Sequence, residues 1–217
     1  MHTTPPAHHS ELDTTCHHIA SQLASQGWCV TGDFLAADIV RDIREYAQHA
    51  WRTGAFRQAG IGQGKLEVQP DIRSDQVLWL EPAQCDGAVA AYFAALECLR
   101  QTINRELYLG LFDYEAHLAI YAPGSFYKKH LDQFRGSNLR TVTTTFYLNA
   151  DWQPQHGGQL RLYTHSEDPA RQLDVLPAAG TLVTFLSGEY YHEVLPATRE
   201  RLSLTGWFRR REMASTV

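Results

Sequence analysis

The sequence contains few of the residues that mark specialised protein classes. Among its 217 residues there are 4 cysteines, 15 glycines and 9 prolines. The cysteines are widely spaced and form no CxxC pair, so a disulfide scaffold is excluded and we expect free thiols in a reducing cytoplasm. Glycine and proline are too scarce for a fibrous or low-complexity chain.

Positive charge and long apolar runs are also scarce. Lysine and arginine number 19 against 24 acidic residues, which argues against a general attraction to nucleic acid or to an anionic membrane. No apolar run approaches the roughly 20 residues needed to span a bilayer. The first residues lack the basic and apolar regions of a secretory signal. We therefore expect a cytoplasmic protein without nucleic-acid or membrane partners.

A content of 44% hydrophobic residues, 11% of the chain being aromatic, is ample for one ordinary core. Residues 1–10, rich in histidine and proline, are predicted to be a flexible tail. Residues 11–217 are predicted to form a single domain. Its first part, about 11–111, reads as helical support, and about 112–210 reads as a strand-rich core.

The first part shows helical periodicity interrupted by turn signals. A helix is predicted from Glu11 to a C-cap at Gly27, followed by a short strand over 28–30. Asp33 is a suitable N-cap for a second helix. A third helix is predicted over 83–107, where an apolar stripe indicates packing against a core.

After Phe112 the pattern changes to the alternation of half-buried strands, separated by Gly and Pro turns. Eight short strands at this spacing favour a sandwich or jelly roll. We expect an α+β, mainly β fold in which the N-terminal helices pack on one sheet. The predicted strands are 114–121, 126–132, 141–149, 158–164, 172–176, 180–186, 190–195 and 201–209.

Three candidate metal ligands lie in the strand-rich part. His130 and Asp132 are two residues apart on a predicted strand and project from one face. His192 follows a glycine turn at the start of another strand. Two histidines and one carboxylate are the facial triad of non-haem Fe(II) enzymes, which leaves coordination positions open. Zn²⁺ could use the same ligands, and an isolated H-x-D pair is often a surface pair.

Arg201 is the fourth notable residue because alternation places it on the inner face of a strand. A buried guanidinium needs an anion, and its planar fork suits a carboxylate. A dicarboxylic keto acid that chelates iron and meets Arg201 would satisfy both requirements. The alternative is a structural ion pair between Arg201 and either Asp174 or Glu193.

These residues, with several flanking motifs, resemble one enzyme family. The chain is similar over about 27–208 to 2-oxoglutarate/Fe(II)-dependent dioxygenases with a double-stranded β-helix fold. Within them it resembles the prolyl 4-hydroxylases, namely the hypoxia-inducible-factor prolyl hydroxylases and their bacterial relatives. The motifs are Ile72-Arg73-Ser74-Asp75 with Trp79, Tyr121-Ala122-Pro123-Gly124 before His130-Leu131-Asp132, Tyr147-Leu148-Asn149 with Asp151-Trp152, Gly157-Gly158-Gln159-Leu160-Arg161, and His192-Glu193-Val194 with Pro196.

The resemblance implies Fe(II), 2-oxoglutarate and O₂ as cofactor and co-substrates, with ascorbate as a supporting reductant. It also implies a role for each matching residue, although core packing is the alternative for both tyrosines. The implied roles are iron binding by His130, Asp132 and His192, binding of the distal carboxylate of 2-oxoglutarate by Arg201 and Tyr147 with Thr205 nearby, lining of the iron site by Tyr121, and a pocket wall formed by Leu160.

The implied reaction is C4 hydroxylation of a prolyl residue in a protein, with release of succinate and CO₂. For bacterial relatives the resemblance implies elongation factor Tu as the protein partner. The glycine-rich segment 53–70 would be a mobile lid over that substrate. Arg73 and Asp75, just after it, would either position that lid or form a simple surface pair, and we favour the structural role.

Three other functions remain open from the sequence. The first is a 2-oxoglutarate oxygenase acting on a free amino acid, another small molecule or an alkylated nucleobase. The second is a cupin-like metal enzyme, which would leave Arg201 unexplained. The third is a jelly-roll binding module without turnover. The basic run 209–211 is interpreted as a solvated end.

Overall fold

A computed structural model describes residues 7–60, 69, 71–133, 139–164 and 171–211, with the backbone alone for 7–10. Within these residues the chain forms three α-helices and eleven strands. The helices are α1 (Ala7–Gln26), α2 (Ala37–Arg52) and α3 (Gly87–Leu107). The strands are β1 (Trp28–Thr31), β2 (Arg57–Gln58), β3 (Gln76–Leu80), β4 (Leu111–Tyr121), β5 (Tyr127–His130), β6 (Arg140–Tyr147), β7 (Leu160–Tyr163), β8 (Gln172–Val175), β9 (Leu182–Leu186), β10 (His192–Val194) and β11 (Arg201–Arg210).

The strands form two antiparallel sheets that pack face to face. The major sheet has seven strands in the order β1-β9-β6-β11-β4-β3-β2, and the minor sheet has four in the order β5-β10-β7-β8. One buried cluster joins the inner faces of both, with Tyr147 and Phe185 from the major sheet and Leu160 and Val194 from the minor sheet. Strands β4 to β11 correspond to the eight predicted strands, and the predicted jelly-roll core is confirmed.

The helices cover the outer face of the major sheet. Strand β11 alternates, so that Leu204 and Phe208 point outward into a cluster shared with the helices. Ile19, Ile43 and Leu99 represent α1, α2 and α3 in this cluster, and each is fully buried. Burial of one apolar stripe per helix is the expected origin of this layer. The prediction that the helices pack on one sheet is therefore confirmed.

Gly27 ends α1 as predicted, with a left-handed φ of 76°. A Cβ at this position would lie 2.6 Å from the Tyr190 hydroxyl, so a side chain is excluded as well. The predicted N-cap at Asp33 is wrong, because α2 begins at Ala37. The Phe34 N–H bonds the Gly180 carbonyl, which holds the chain in a turn where Asp33 takes a φ of 49°.

Two strands of the first part were not predicted. β2 pairs with β3, and β3 pairs with β4, so the first part of the chain adds strands to the same sheet. Within the predicted mobile segment 53–70, β2 and the turn before it are ordered, and residues 61–68 and 70 lie outside the described residues. The third helix begins at Gly87, after a 3-10 turn at Pro82–Gln84, and not at 83.

At the N-terminus, α1 begins at Ala7, within the predicted tail, while residues 1–6 lie outside the described residues. The turn predicted at 136–138 also lies outside them. Among the described helices none is both long and apolar enough to cross a membrane.

Candidate active site

A cavity of about 610 Å³ lies between the two sheets, and β3 forms part of its wall. Its lining includes His130, His192 and Leu160 from the minor sheet. From the major sheet, inward-facing side chains of β11 and β4 line the cavity, and they include Arg201 and Tyr121. All predicted site residues except Tyr147 therefore border one space.

The three predicted metal ligands meet at one side of this cavity. His130 ends β5 and lies directly opposite His192, which begins β10. Asp132 follows the end of β5 and turns back, so that its two carboxylate oxygens lie 3.5 Å from Nε2 of His130 and 3.4 Å from Nε2 of His192. One ligand atom from each residue falls within 4.8 Å of the others.

Neighbouring groups fix the orientation of both imidazoles. Nδ1 of His130 lies 2.7 Å from the Lys128 carbonyl, and Nδ1 of His192 lies 3.2 Å from the Tyr190 carbonyl. Donation from Nδ1–H leaves the lone pair on Nε2, on the side of the shared point. The ring of Tyr127 stacks on His130, with 3.5 Å between ring centroids and 14° between their planes.

The electrostatics favour the ligand forms of these groups. Burial lowers the pKa of His192 to about 4, so its imidazole is neutral near pH 7. Burial alone would raise the pKa of Asp132, but His192 and His130 outweigh it and hold that pKa well below its ordinary value. The Thr143 hydroxyl donates to Asp132 at 2.9 Å and contacts Ser187, which fixes the carboxylate further.

This donor set fits a divalent first-row metal. Two imidazole nitrogens and one carboxylate, each oriented by an outer partner, can occupy one face of a metal and leave the cavity side open. Fe(II) with open positions is the ion that this arrangement suits best.

Arg201 is almost fully buried at 1% exposure. Its Nε donates to the Gly158 carbonyl at 2.9 Å and its Nη1 to the Ser203 hydroxyl at 3.4 Å. Its Nη2 is buried and has no hydrogen-bond partner among the described residues. A buried cation with an unused donor is costly unless an anion completes it.

The alternative ion pairs of Arg201 do not form. Asp174 is held by Arg161, with Nε to Oδ1 at 2.8 Å. Glu193 accepts from the Tyr163 hydroxyl at 2.7 Å and lies 3.8 Å from Arg161. Both carboxylates lie on the minor sheet and have their own partners. The interpretation of Arg201 as half of an ion pair with either of them is therefore wrong.

A glycine beside Arg201 explains part of the Gly157-Gly158 motif. Gly158 has a φ of +72°, which disfavours other residues. A Cβ there would lie 2.9 Å from Cβ of Ala197 and 3.3 Å from Cδ of Arg201. The glycine thus allows its own carbonyl to reach the guanidinium.

The other predicted co-substrate residues surround Arg201. Tyr121, Leu160 and Thr205 line the cavity. Tyr147 is fully buried and does not line it, yet its ring centroid lies 5.0 Å from the Arg201 guanidinium carbon, as does that of Tyr121. Burial raises the pKa of Tyr147 to about 12, and its hydroxyl has no hydrogen-bond partner among the described residues. The roles assigned to these residues stay predictions.

Several cavity residues were not singled out from the sequence. Trp207 lies on the same face of β11 as Arg201, so strict alternation would have found it. Tyr127 lies three residues before His130, and only the stacking reveals it. His117 and Arg140 gave no signal that separates them from ordinary strand residues.

Arg73 and Asp75 form a buried ion pair and not a surface one. Asp75 is fully buried, and Arg73 donates to it through Nε at 2.8 Å. Burial would lower the pKa of Arg73, but Asp75 outweighs it and keeps the guanidinium charged. Arg73 also lies over the ring of Tyr127 at 4.4 Å, next to the triad. The pair therefore braces the cavity wall.

The run 209–211 is also not simply solvated. Arg209 pairs with Asp113 through Nη2 and with Glu115 through Nη1, each at 2.8 Å. Arg210 donates to the Leu109 carbonyl, and Arg211 lies 3.9 Å above the ring of Phe112. These contacts join the end of β11 to the start of β4.

Comparison with known proteins agrees with this geometry. Residues 116–209 match the family described as the 2OG-Fe(II) oxygenase superfamily. The crystal structure of a Pseudomonas putida prolyl-4-hydroxylase is 46% identical, with a TM-score of 0.83, over 90% of this chain and 100% of that one. The chain belongs to the 2OG-Fe(II) oxygenases. Human Egl nine homolog 1 is 29% identical over 206 residues, which are 91% of this chain and 47% of the human protein.

A Trichoplax adhaerens prolyl hydroxylase, solved with a hypoxia-inducible-factor peptide fragment, shares the fold. Its TM-score is 0.85 at 23% identity, over 95% of this chain and 94% of that one. This oxygenase spans 28% to 59% of the length of these curated relatives. At the level of the family, the predicted enzyme class is confirmed, together with its use of Fe(II), 2-oxoglutarate and O₂.

Proposed function

We propose that this oxygenase hydroxylates C4 of a prolyl residue in a protein substrate. The observation that carries the proposal is one cavity that contains both the His-Asp-His cluster and a buried arginine with an unused donor. The likeness to the Pseudomonas prolyl-4-hydroxylase over that chain's full length supports proline as the target. The peptide complex of the Trichoplax relative supports a polypeptide substrate.

Iron and 2-oxoglutarate, when bound, supply with O₂ the oxidation of an unactivated C–H bond, and 2-oxoglutarate leaves as succinate and CO₂. His130, Asp132 and His192 would hold the metal through Nε2, carboxylate and Nε2. Arg201 would bind the distal carboxylate of 2-oxoglutarate, because its free Nη2 suits an anion in a dry site. The rings of Tyr121 and Tyr147 each lie 5.0 Å from the guanidinium carbon and would help to keep water away from it.

The walls of the cavity suit chemistry that must exclude water. Leu160 and Val194 close the side of the minor sheet, and Tyr121 and Trp207 close the side of the major sheet, all at no more than 7% exposure. Such walls keep water from a reactive centre and strengthen electrostatic interactions within it. Trp79 of β3 also lines the cavity and is 44% exposed, so this part of the wall is one that a polypeptide can reach.

We propose elongation factor Tu as the protein partner and the cytoplasm as the site of reaction. The resemblance to bacterial relatives motivates the partner. Four free cysteines support a reducing compartment, where iron stays ferrous. Ascorbate as a supporting reductant stays a prediction.

The test is mass spectrometry of elongation factor Tu after incubation with the enzyme, Fe(II), 2-oxoglutarate and air. We expect a gain of 16 Da on one proline-containing peptide, matched by succinate formation. The gain should disappear when that proline is replaced by alanine, and when Asp132→Ala enzyme is used.

Two results would overturn parts of the proposal separately. Succinate formed with a small-molecule substrate, and none with protein, would contradict the protein substrate while leaving the oxygenase class intact. A 16 Da gain on another cellular protein would replace the partner alone, and comparison of cell proteins with and without the enzyme would identify it.

A further inference from the structure

His117 is a buried histidine of the cavity that the proposed reaction does not use. It lies on β4, directly opposite Thr205 on β11 and Trp79 on β3. Thr205 in turn lies opposite Thr145 on β6. These four side chains lie in one row across the inner face of the sheet, and all of them line the cavity.

Two tryptophans hold the ring of His117 in place. Trp79 meets it edge to face at a centroid distance of 4.9 Å, and Trp207 lies at 5.4 Å on a tilt of 59°. Its residual exposure is 4%. A ring clamped in this way is pre-oriented for one hydrogen-bonding direction.

The surroundings keep this imidazole neutral. Burial lowers the pKa of His117 to about 4, and the guanidinium groups of Arg73 and Arg140 lower it further than Asp75 raises it. A neutral imidazole offers one N–H donor and one acceptor. It suits an amide, which has both groups, better than a carboxylate, which would favour the charged form.

His117 is also incompletely satisfied. Its Nδ1 is buried and has no hydrogen-bond partner among the described residues. Leaving such a group unpaired costs about 1–3 kcal/mol. Buried polar atoms of native proteins are nearly always paired, so a partner that arrives with the ligand is the expected remedy.

The position of His117 favours the substrate over 2-oxoglutarate as that ligand. Arg201 lies opposite Tyr121, four residues from His117 along β4. Directly opposite His117 on β3 lies Trp79, which is 44% exposed. His117 thus lines the same cavity as the metal cluster, beside an exposed part of its wall that a polypeptide can reach.

We propose that His117 is a substrate-positioning residue, which hydrogen-bonds the main-chain amide of the polypeptide next to the reacting residue. This inference rests on the proposed protein-hydroxylase function. Because this contact is to the peptide backbone, it does not depend on which side chains flank the target residue.

The test compares His117→Phe, which keeps a ring between the tryptophans but removes both nitrogens, with His117→Gln, which keeps a donor and an acceptor. Binding of elongation factor Tu is measured on protein loaded with Mn(II) and 2-oxoglutarate without O₂, so that no turnover occurs. We expect His117→Phe to weaken polypeptide binding about 10-fold, the value of one lost hydrogen bond, and His117→Gln to restore most of it. The affinity for 2-oxoglutarate should change less than about 2-fold.

Thr184→Val is the matched control, because Thr184 also has an unpaired buried hydroxyl but faces the helices. It should leave polypeptide binding unchanged. If His117→Phe fails to fold, as judged by its melting temperature, His117→Leu replaces it.

The outcomes separate the two proposals. Wild-type enzyme that neither binds nor modifies the polypeptide would overturn the proposed function, and this inference with it. If the wild-type enzyme modifies the polypeptide and the His117→Phe variant binds it with equal affinity, this inference alone would be overturned. Equal losses of 2-oxoglutarate and polypeptide affinity would also overturn it, and would assign His117 to the co-substrate.

Discussion

The two faces of the major sheet differ in how completely their polar groups are paired, although the same strands form both. On β11, Leu202, Leu204 and Phe208 point to the helices and join a dry cluster. Between them, Arg201 and Thr205 point to the cavity. Alternation by a period of two allows one strand to serve a core and a site at once.

Five buried polar atoms of the described residues lack a hydrogen-bond partner, and four belong to the inner face: His117 Nδ1, Tyr147 Oη, Arg201 Nη2 and Trp207 Nε1. Only Thr184 Oγ1 lies on the helix side. Unpaired buried groups normally cost stability, so their concentration on one face marks where a ligand completes the structure. The helix face therefore stabilises the fold, whereas the inner face carries unpaired donors and acceptors that a ligand can bind.

The largest effect should come from Asp132→Ala, which removes a predicted metal ligand from the inner face. Removing a residue that only hydrogen-bonds a metal ligand typically lowers activity about 10–100-fold. Loss of a direct ligand should lower succinate formation by much more than this. Fe(II) should raise the melting temperature of the wild type but not of the variant, since a ligand stabilises only a state that binds it. A variant that retains turnover would contradict the ligand assignment.

The next effect should be on the helix face, where Leu204→Ala leaves a cavity in a fully buried cluster. We expect the free energy of unfolding to fall by about 2–5 kcal/mol, measured by urea denaturation, with little change in the activity of the folded fraction. Thr205→Ala, one residue further on the inner face, should cost less than about 1 kcal/mol. Equal losses for both variants would remove the distinction between the faces.

Arg201→Leu should separate binding from stability. We expect the affinity for 2-oxoglutarate to fall about 10–100-fold, since one charge-assisted contact is worth roughly 1.5–3 kcal/mol. The melting temperature of the metal-free protein should not fall, because an incompletely paired buried cation is removed. Arg201→Lys should recover little of the affinity, because lysine lacks the planar fork.

Arg161→Ala is the control for this prediction. Arg161 is partly exposed and pairs with Asp174 on the minor sheet. Its removal should change stability by less than about 1 kcal/mol and leave 2-oxoglutarate binding intact. A loss of 2-oxoglutarate affinity in this variant would contradict the assignment of the anion site to Arg201.

The smallest effect concerns pH. The pKa of His117 is about 4 in the folded protein, against an ordinary value of 6.5. At pH values between these two, His117 is protonated in the unfolded chain but neutral in the native state. The free energy of unfolding therefore decreases as the pH falls from 6.5 towards 4. His117→Phe should make the slope of unfolding free energy against pH shallower by up to about 1.4 kcal/mol per pH unit in this window.

Denaturation of the metal-free protein at several pH values measures this slope. His192 has a similarly lowered pKa, so its own share should persist in the variant. A slope equal to that of the wild type would mean that His117 is protonated in the folded state.

The site was predictable where residue chemistry restricts the possibilities. An arginine on the inner face of a strand indicates a bound anion, so Arg201 could be found. Two histidines with one carboxylate indicate a metal site or a shared proton, so the three ligands could be found as well (His130, Asp132 and His192). A lone histidine or tyrosine on a strand makes no such demand, because core packing accommodates both. His117 and Tyr127 were therefore invisible until their neighbours were known.

The fold was predictable where patterns are local. Alternation and turn residues identified β4 to β11, and helical periodicity identified α1 and α3 to within a few residues. β2 is two exposed residues long and exists only through its pairing with β3. The start of α2 depends on a hydrogen bond from Phe34 to Gly180, far away in the chain.

That the strands have two unlike faces, and which ligand types are present, could be read from the chain alone, because side-chain period and donor chemistry are local properties. Which of these groups meet depends on the folded arrangement. It places His130 opposite His192 and pairs Asp174 with Arg161, so that Arg201 has no carboxylate partner among the described residues. Such choices follow from strand register, and register is set by packing of the whole core and not by any one segment.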